Sequence, residues 1–312
     1  MSPLPASLEH CLPPLKPESL QCIYHLLSYS PPKVKRRLPL RRCAAVAVIL
    51  FVGRLGDLYV LLSTRAGNMR TFAHDTALPG GKYEPGDIDA EGTARREAYE
   101  EIGLPNDRNK VRKLCILDHF LTGNSLIVTP VILLITDYTL TPLLNPAEVS
   151  LLFSMPLASF LHSRPSKIPS FQYSIFHRLA LIPPGTIESI PPPPPIAYAE
   201  DEGHVSWKEG KFYGYRDVKW GEGMVRMHRF LTGRESNGVK PVYGLTAAIL
   251  IKTATVAYNQ CPDFPVMAPG QRSMEERIEF EIWHIQSPLR RALEAEELCD
   301  EWGENEEVKA KL

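Results

Sequence analysis

Hydrophobic and polar positions change their period several times along this chain, and each change marks an element. Around Leu20–Leu27 apolar residues recur at helical spacing within an otherwise Pro-rich lead of residues 1–39. From Ala44 to Val52, and again from Leu58 to Ser63, the chain is almost uniformly apolar, and Gly53–Gly56 lies between the two runs, so the pair reads as a hairpin. Lys113–Leu121 and Ser125–Ile135 are two further apolar strands, parted by the turn signal Thr122-Gly123-Asn124. Pro146-Ala147-Glu148-Val149 predicts a short helical turn, and Met155-Pro156-Leu157 the start of the next element. Order resumes at Lys211–Val218, where Phe212, Tyr213 and Tyr215 sit among polar neighbours, and at Met224–Phe230. Gln271 to Cys299 reads as one amphipathic, acidic helix.

One segment combines helical period with chemistry. Ala90, Ala94, Ala98 and Ile102 form a small apolar stripe that lets a helix lie close against a sheet. Glu97, Glu100 and Glu101, three and four residues apart, fall within an arc of roughly 100° beside it. Asp87 or Asp89 can cap the start, and Gly103 sits where a C-terminal cap belongs. Arg96, four residues before Glu100, can pair with it or orient a neighbour. Carboxylates so placed suit a hard divalent cation, Mg²⁺ or Mn²⁺. A solvated acidic helix face is the other reading of the same spacing.

The segment also resembles the signature of the Nudix hydrolases, G-x5-E-x7-R-E-U-x-E-E-x-G-U, with U a bulky aliphatic residue. Gly81, Arg96, Glu97, Glu100, Glu101, Gly103 and Leu104 fall in place. Asp87 stands at the first Glu position, eight residues rather than seven separate it from Arg96, and Ala98 fills the first U. Just upstream, Leu61-Leu62-Ser63-Thr64-Arg65-Ala66, then Arg70, His74 and Leu78-Pro79-Gly80-Gly81, resemble the extra element of the coenzyme A diphosphatase branch. Both arginines match; Ser63 replaces Thr, His74 replaces Gly and Leu78 replaces Phe. Forked cations beside a phosphate-cleaving site are suited to bidentate phosphate binding. Pro146–Val149 is similar to a further stretch of that branch, and Pro241–Leu250 to the helix that closes the family's fold opposite the catalytic helix.

The resemblance implies an α+β chain of the Nudix fold, a mixed β-sheet sandwiched between helices. The domain spans residues 40–258, with a Pro-rich insertion at about 162–210; a Pro-rich extension, 1–39, precedes it and a helical extension, 259–312, follows. It implies that Glu97, Glu100 and Glu101 hold Mg²⁺ or Mn²⁺, with the Gly80 carbonyl as an extra ligand, and that Arg96 orients them. Glu148 is then a fourth ligand or the water-activating base, or else only a carboxylate favoured by a helix N-terminus. Arg65, Arg70 and His74 are the expected substrate contacts. The implied reaction cleaves the diphosphate of coenzyme A or an acyl-CoA. NADH or 8-oxo-dGTP is the alternative substrate, and a non-catalytic Nudix-like binding module the rival outside enzymology.

Composition narrows the rest. A net charge of −1 gives no support to nucleic-acid binding. The six cysteines show no C-x-x-C and no paired spacing, which reads as reduced thiols rather than a disulfide frame or zinc site. The longest apolar run, Cys43 to Gly53, is too short to span a bilayer, and residues 1–30 lack a signal-peptide pattern. Lys33, Lys35, Arg36, Arg37, Arg41 and Arg42 read as a solvated lead into the first strand, with nuclear import or an anionic surface as the alternative. Pro191 to Pro195 favour polyproline II, as a solvated insertion loop or an SH3-type ligand. Ala310-Lys311-Leu312 is a close variant of the peroxisomal address read by an import receptor, so the expected location is the peroxisomal matrix.

Overall fold

The computed structural model describes residue 8 and residues 11–32, 37–164, 212–220 and 223–299. The five-proline run, Lys33–Arg36 and Ala310–Leu312 lie outside the described residues.

The expected hairpin is formed by β1 (Cys43–Val52) and β2 (Leu58–Arg65), antiparallel with Leu50 opposite Val60. They pair over only three positions and then splay apart. β1 gives its other edge to β7 (Ile127–Ile135) in parallel from Cys43 to Leu50. β2 gives its other edge to β8 (Val149–Pro156). The gap between them is therefore filled by β3 (Thr76–Ala77) on β2 and β4 (Gly80–Lys82) on β1. β5 (Val111–Ile116) and β6 (Phe120–Leu121) pair with β7 to complete a mixed, eight-stranded sheet. The predicted strand Lys113–Leu121 is thus two strands, broken where Leu117 turns its N–H to the Pro130 carbonyl at 2.9 Å.

The apolar run of β1 serves two layers, as in strands covered on both faces. Ala45, Ala47 and Ile49 pack on Ala94, Ala98 and Ile102 of the acidic helix α2 (Ala90–Ile102). Ala44, Val48, Leu50 and Val52 face the other way, towards α1 (Pro17–Ser28) and α3 (Gly244–Tyr258), through Ile23, Leu26, Leu250 and Ala254. The sheet is therefore sandwiched between helices, the expected α+β architecture, with α3 opposite α2. Removing a side chain from either layer leaves a cavity that the fully buried surroundings cannot close; Ile102→Ala should cost about 2–4 kcal/mol.

Two expectations are corrected. The short turn at Pro146–Glu148 is present, with Glu148 and Val149 N–H donating to the Asn145 carbonyl at 3.0 and 2.8 Å, but it passes directly into β8, so Met155-Pro156 end a strand rather than start an element. The single helix at Gln271–Cys299 is two, α4 (Met274–Trp283) and α5 (Pro288–Ala295). α4 begins in a Ser273–Glu276 capping box. Pro288 cannot continue a helix from before it but suits the first position of a new one, behind the Ser287 cap. Both helices pack on Leu121 and Ile127 through Ile282, Leu289 and Leu293. A smaller antiparallel sheet joins β9 (Tyr213–Trp220), β10 (Gly223–Phe230) and β11 (Val242–Tyr243), and leads into α3.

Candidate active site

α2 reaches the site fixed at both ends. Of the two candidate caps it is Asp89 that accepts from the Gly92 N–H, at 2.8 Å. Gly103 ends the helix in the left-handed region, at φ 68°. The chain returns here: Leu143 N–H donates to the Ile102 carbonyl and Asn145 N–H to the Glu101 carbonyl, both at 3.0 Å. That docking sets the turn at Pro146–Glu148. From there the Glu148 carbonyl accepts from Ala66 N–H at 2.8 Å, and Val149 pairs with Arg65. Glu148 is thereby carried to the end of β2.

Asp87, freed from capping, clamps Arg96. The guanidinium donates from Nε to Oδ1 at 3.0 Å and from Nη2 to Oδ2 at 3.1 Å, a bidentate pair. Thr93 and the Glu84 N–H also donate to Asp87, at 2.9 and 3.0 Å. Arg96 then reaches the Lys82 carbonyl at 2.9 Å, Glu97 Oε1 at 3.0 Å and Glu100 Oε2 at 3.0 Å. These contacts hold the Asp87 carboxyl below its ordinary range despite burial, and the Arg96 guanidinium above its own.

The three helix carboxylates differ in setting. Glu100 is about half exposed. Glu97 is mostly covered and lies on Gly81, where any Cβ would collide with its carboxylate. Glu101 is buried, and its Oε1 receives only a long contact, 3.4 Å, from the Gly80 N–H. Burial raises the Glu97 pKa and pushes Glu101 up to about 8; each repels the other or its neighbours, and Glu148 adds like charge to both. Arg65 offsets Glu101, and among the described residues the buried Arg65 Nε has no hydrogen-bond partner. Glu97, Glu101, Glu148 and Arg65 are thus one electrostatic group.

Arg70 and His74 stand apart from that group, exposed on the loop after β2. His74 has φ 64° and Phe72 φ 57°, the left-handed backbone that glycine adopts most easily. The imidazole of His74 lies over Gly67, where a Cβ would come within 2.5 Å of its Cε1.

Among the described residues no three His, Cys, Asp or Glu side chains are grouped so as to hold an ion, and Arg96 engages Glu97 and Glu100. The donor chemistry nevertheless fits a hard divalent cation: oxygen ligands on carboxylates whose charge burial and like-charged neighbours penalise, Arg96 and Arg65 offsetting only part of it. Sequence reasoning missed Asp87 as the Arg96 clamp, although its departure from the Glu position marked it. It also missed Asp75, Lys240 and Tyr243, which meet at the loop's end; nothing in local spacing links residue 75 to residue 240.

The NUDIX domain family matches residues 41–177 of this chain. "Nudix hydrolase 15, mitochondrial" of Arabidopsis thaliana is 32% identical over 227 residues, covering 72% of this chain and 62% of that protein. "Peroxisomal coenzyme A diphosphatase 1, peroxisomal" of Saccharomyces cerevisiae is 34% identical over 169 residues, 45% of this chain and 50% of that protein. "Uncharacterized Nudix hydrolase NudL" of Photorhabdus laumondii is 35% identical over 131 residues, 42% of this chain and 67% of that protein. The chain thus spans between half and two thirds of the length of these relatives.

Proposed function

Because this chain belongs to the Nudix family, we propose that it hydrolyses the diphosphate bond of coenzyme A or an acyl-CoA. The products are adenosine 3′,5′-bisphosphate and 4′-phosphopantetheine, or the acylated form of the latter. The observation that carries this reading is the junction of two motifs: Arg65, from the proposed substrate-reading stretch, lies near enough to Glu101, on the proposed catalytic helix, to offset its charge. The name of the yeast relative supports the same substrate.

Glu97, Glu100 and Glu101, with the Gly80 carbonyl, would hold Mg²⁺ or Mn²⁺. Such an ion, when bound, offsets charge on the bridging phosphates and lowers the pKa of a coordinated water. Asp87 holds Arg96, and Arg96 fixes the carboxylates it touches. Arg65 and Arg70 donate to phosphate oxygens, and the exposed His74 meets the substrate beyond them. Glu101 or Glu148 accepts the proton that water loses as its oxygen attacks phosphorus and the bridging P–O bond breaks. His74 and Leu78, where the branch has Gly and Phe, favour keeping NADH and 8-oxo-dGTP as second candidates.

The test is incubation of the protein with Mg²⁺ or Mn²⁺ and coenzyme A, acetyl-CoA, NADH, ADP-ribose or 8-oxo-dGTP, with products resolved by chromatography. Preferential release of adenosine 3′,5′-bisphosphate supports the reading. Preferential cleavage of another member of the panel overturns the substrate and keeps the diphosphatase chemistry. A peroxisomal location, through Ala310–Leu312, belongs to the same proposal. Relatives named peroxisomal and mitochondrial both match, so imaging of the chain with and without that tripeptide decides it.

A further inference from the structure

The loop between β2 and β3 carries two of the proposed substrate contacts, Arg70 and His74, and has two turns of its own: Met69 N–H donates to the Ala66 carbonyl at 3.2 Å and Asp75 N–H to the Phe72 carbonyl at 3.1 Å. Its backbone is tied at the base, where His74 N–H donates to the Arg65 carbonyl at 3.2 Å and Arg65 N–H to the Asp75 carbonyl at 2.9 Å. Above that base two non-glycine residues, Phe72 and His74, adopt the left-handed backbone. Such residues persist when surrounding contacts over-determine them.

Beyond the loop's own turns, such contacts come from residues 240 and 243, remote in sequence. Lys240 Nζ donates to Asp75 Oδ1 at 2.7 Å and to the Ala73 carbonyl at 3.0 Å. Tyr243 OH donates to Asp75 Oδ2. Thr76 Oγ1 donates to the Lys240 carbonyl at 2.5 Å. Both oxygens of Asp75, a residue only 8% exposed, are therefore engaged. Tyr243 belongs to β11, whose pairing with β10 sets Tyr243 opposite Arg229, so the smaller sheet is the fixed wall against which the loop is held.

We propose that Lys240 and Tyr243, acting through Asp75, are positioning residues that latch the loop bearing Arg70 and His74 in its substrate-reading conformation. This rests on the functional reading above only for which diphosphate the loop meets. The latch lies at the loop and not among the carboxylates, so its loss acts on substrate binding and leaves the chemical step in place.

Two measurements on the full chain test it. The first is amide hydrogen exchange without ligand, compared between wild type, Lys240→Ala, Tyr243→Phe and Lys240→Arg. Peptides covering residues 66–76 should exchange faster in the first two variants, while peptides covering 90–104 stay unchanged. The second is steady-state kinetics on whichever member of the diphosphate panel the wild type cleaves. Lys240→Ala should raise KM about tenfold and Tyr243→Phe about threefold, with kcat within about twofold, and Lys240→Arg should recover most of the loss. Unchanged exchange at 66–76 overturns the latch whatever the substrate. Faster exchange with an unchanged KM, or with kcat falling in parallel, overturns its positioning role. The same KM split on NADH in place of coenzyme A keeps the latch and removes only the coenzyme A reading.

Discussion

Two stretches meet at this site and are held in opposite ways. In α2 the contacts that fix the functional side chains are local: Asp87, Lys82, Glu97 and Glu100 all bind Arg96 from within 14 positions of it. The loop at residues 66–75, beyond its own turns, is tied to Lys240 and Tyr243, 165 and 168 positions from Asp75. The helix is capped at both ends, whereas the loop carries strained backbone at Phe72 and His74. Chemistry that must not vary is thus built where local rules enforce it. The groups proposed to read the substrate are tied by tertiary contacts, which can be altered without disturbing the helix.

The largest effect that sharpens this contrast is at Glu101. Glu101→Gln should reduce kcat by about a thousandfold or more, because it removes an oxygen charge that no neighbour supplies. It should also stabilise the ion-free protein. Burial lifts this carboxyl from its ordinary value of 4.5 to about 8 in the folded chain. Between those values the folded state holds a proton that the unfolded state has lost, so stability falls as pH rises through that window. The Gln variant escapes the fall, so its Tm in chelator should exceed that of wild type at pH 8 and match it near pH 4.5. The gap at pH 8 is about 2–4 kcal/mol. Added Mg²⁺ should narrow it. A lower Tm than wild type at pH 8 in chelator would mean that Glu101 is a structural acid and the site has been misread.

A smaller effect tests whether the helix really is self-contained. Asp87→Ala leaves the Asp89 cap in place but releases the fork of Arg96, which then keeps the Lys82 carbonyl, Glu97 and Glu100 as acceptors. We expect kcat to fall about 10- to 100-fold with KM little changed, as when an outer partner of a ligand set is lost. Stability should drop by about 1–2 kcal/mol, since Thr93 and the Glu84 N–H also lose their acceptor. Equal changes in hydrogen exchange at residues 66–76 and at 90–104 would show that helix and loop are one cooperative unit, against the contrast drawn here.

The same division explains what was legible beforehand. The α2 stripe of Ala94, Ala98 and Ile102, the cap at Gly103 and the pairing of Arg96 with Glu100 all follow from a 3.6-residue period and could be read directly. The hairpin of β1 and β2 was equally plain, because uninterrupted apolar runs around a glycine turn admit few other partners. The strand at Val149–Pro156 was not, since Asn-Pro at 145–146 carries both turn and helix-start signals, and only pairing with β2 selects the strand. The break at Pro288 was visible but lost within an amphipathic pattern continuing on both sides. Asp75 with Lys240 lay beyond reach for a different reason: a contact over 165 positions leaves no periodic trace. His74, seen as a substitution for glycine, proves to keep the glycine backbone.

That observation gives the smallest and most discriminating test. An L-residue at φ 64° costs about 1 kcal/mol relative to glycine, less for histidine than for branched residues. Glycine gives back part of this through the greater freedom of the unfolded chain. His74→Gly should therefore stabilise the protein by about 0.5 kcal/mol, a Tm rise of about 1–2 °C. His74→Ala keeps the strained backbone and removes the ring, so its Tm should not rise. If the imidazole meets the substrate, both variants raise KM alike, by about three- to tenfold. If it serves only to fill the space over Gly67, the alanine variant alone suffers, and the glycine variant binds substrate as wild type does. Strain and recognition are then separated at one position by two substitutions. A Tm that falls in His74→Gly would show instead that the ring's packing on Gly67, and not the remote latch, is what keeps this loop in place.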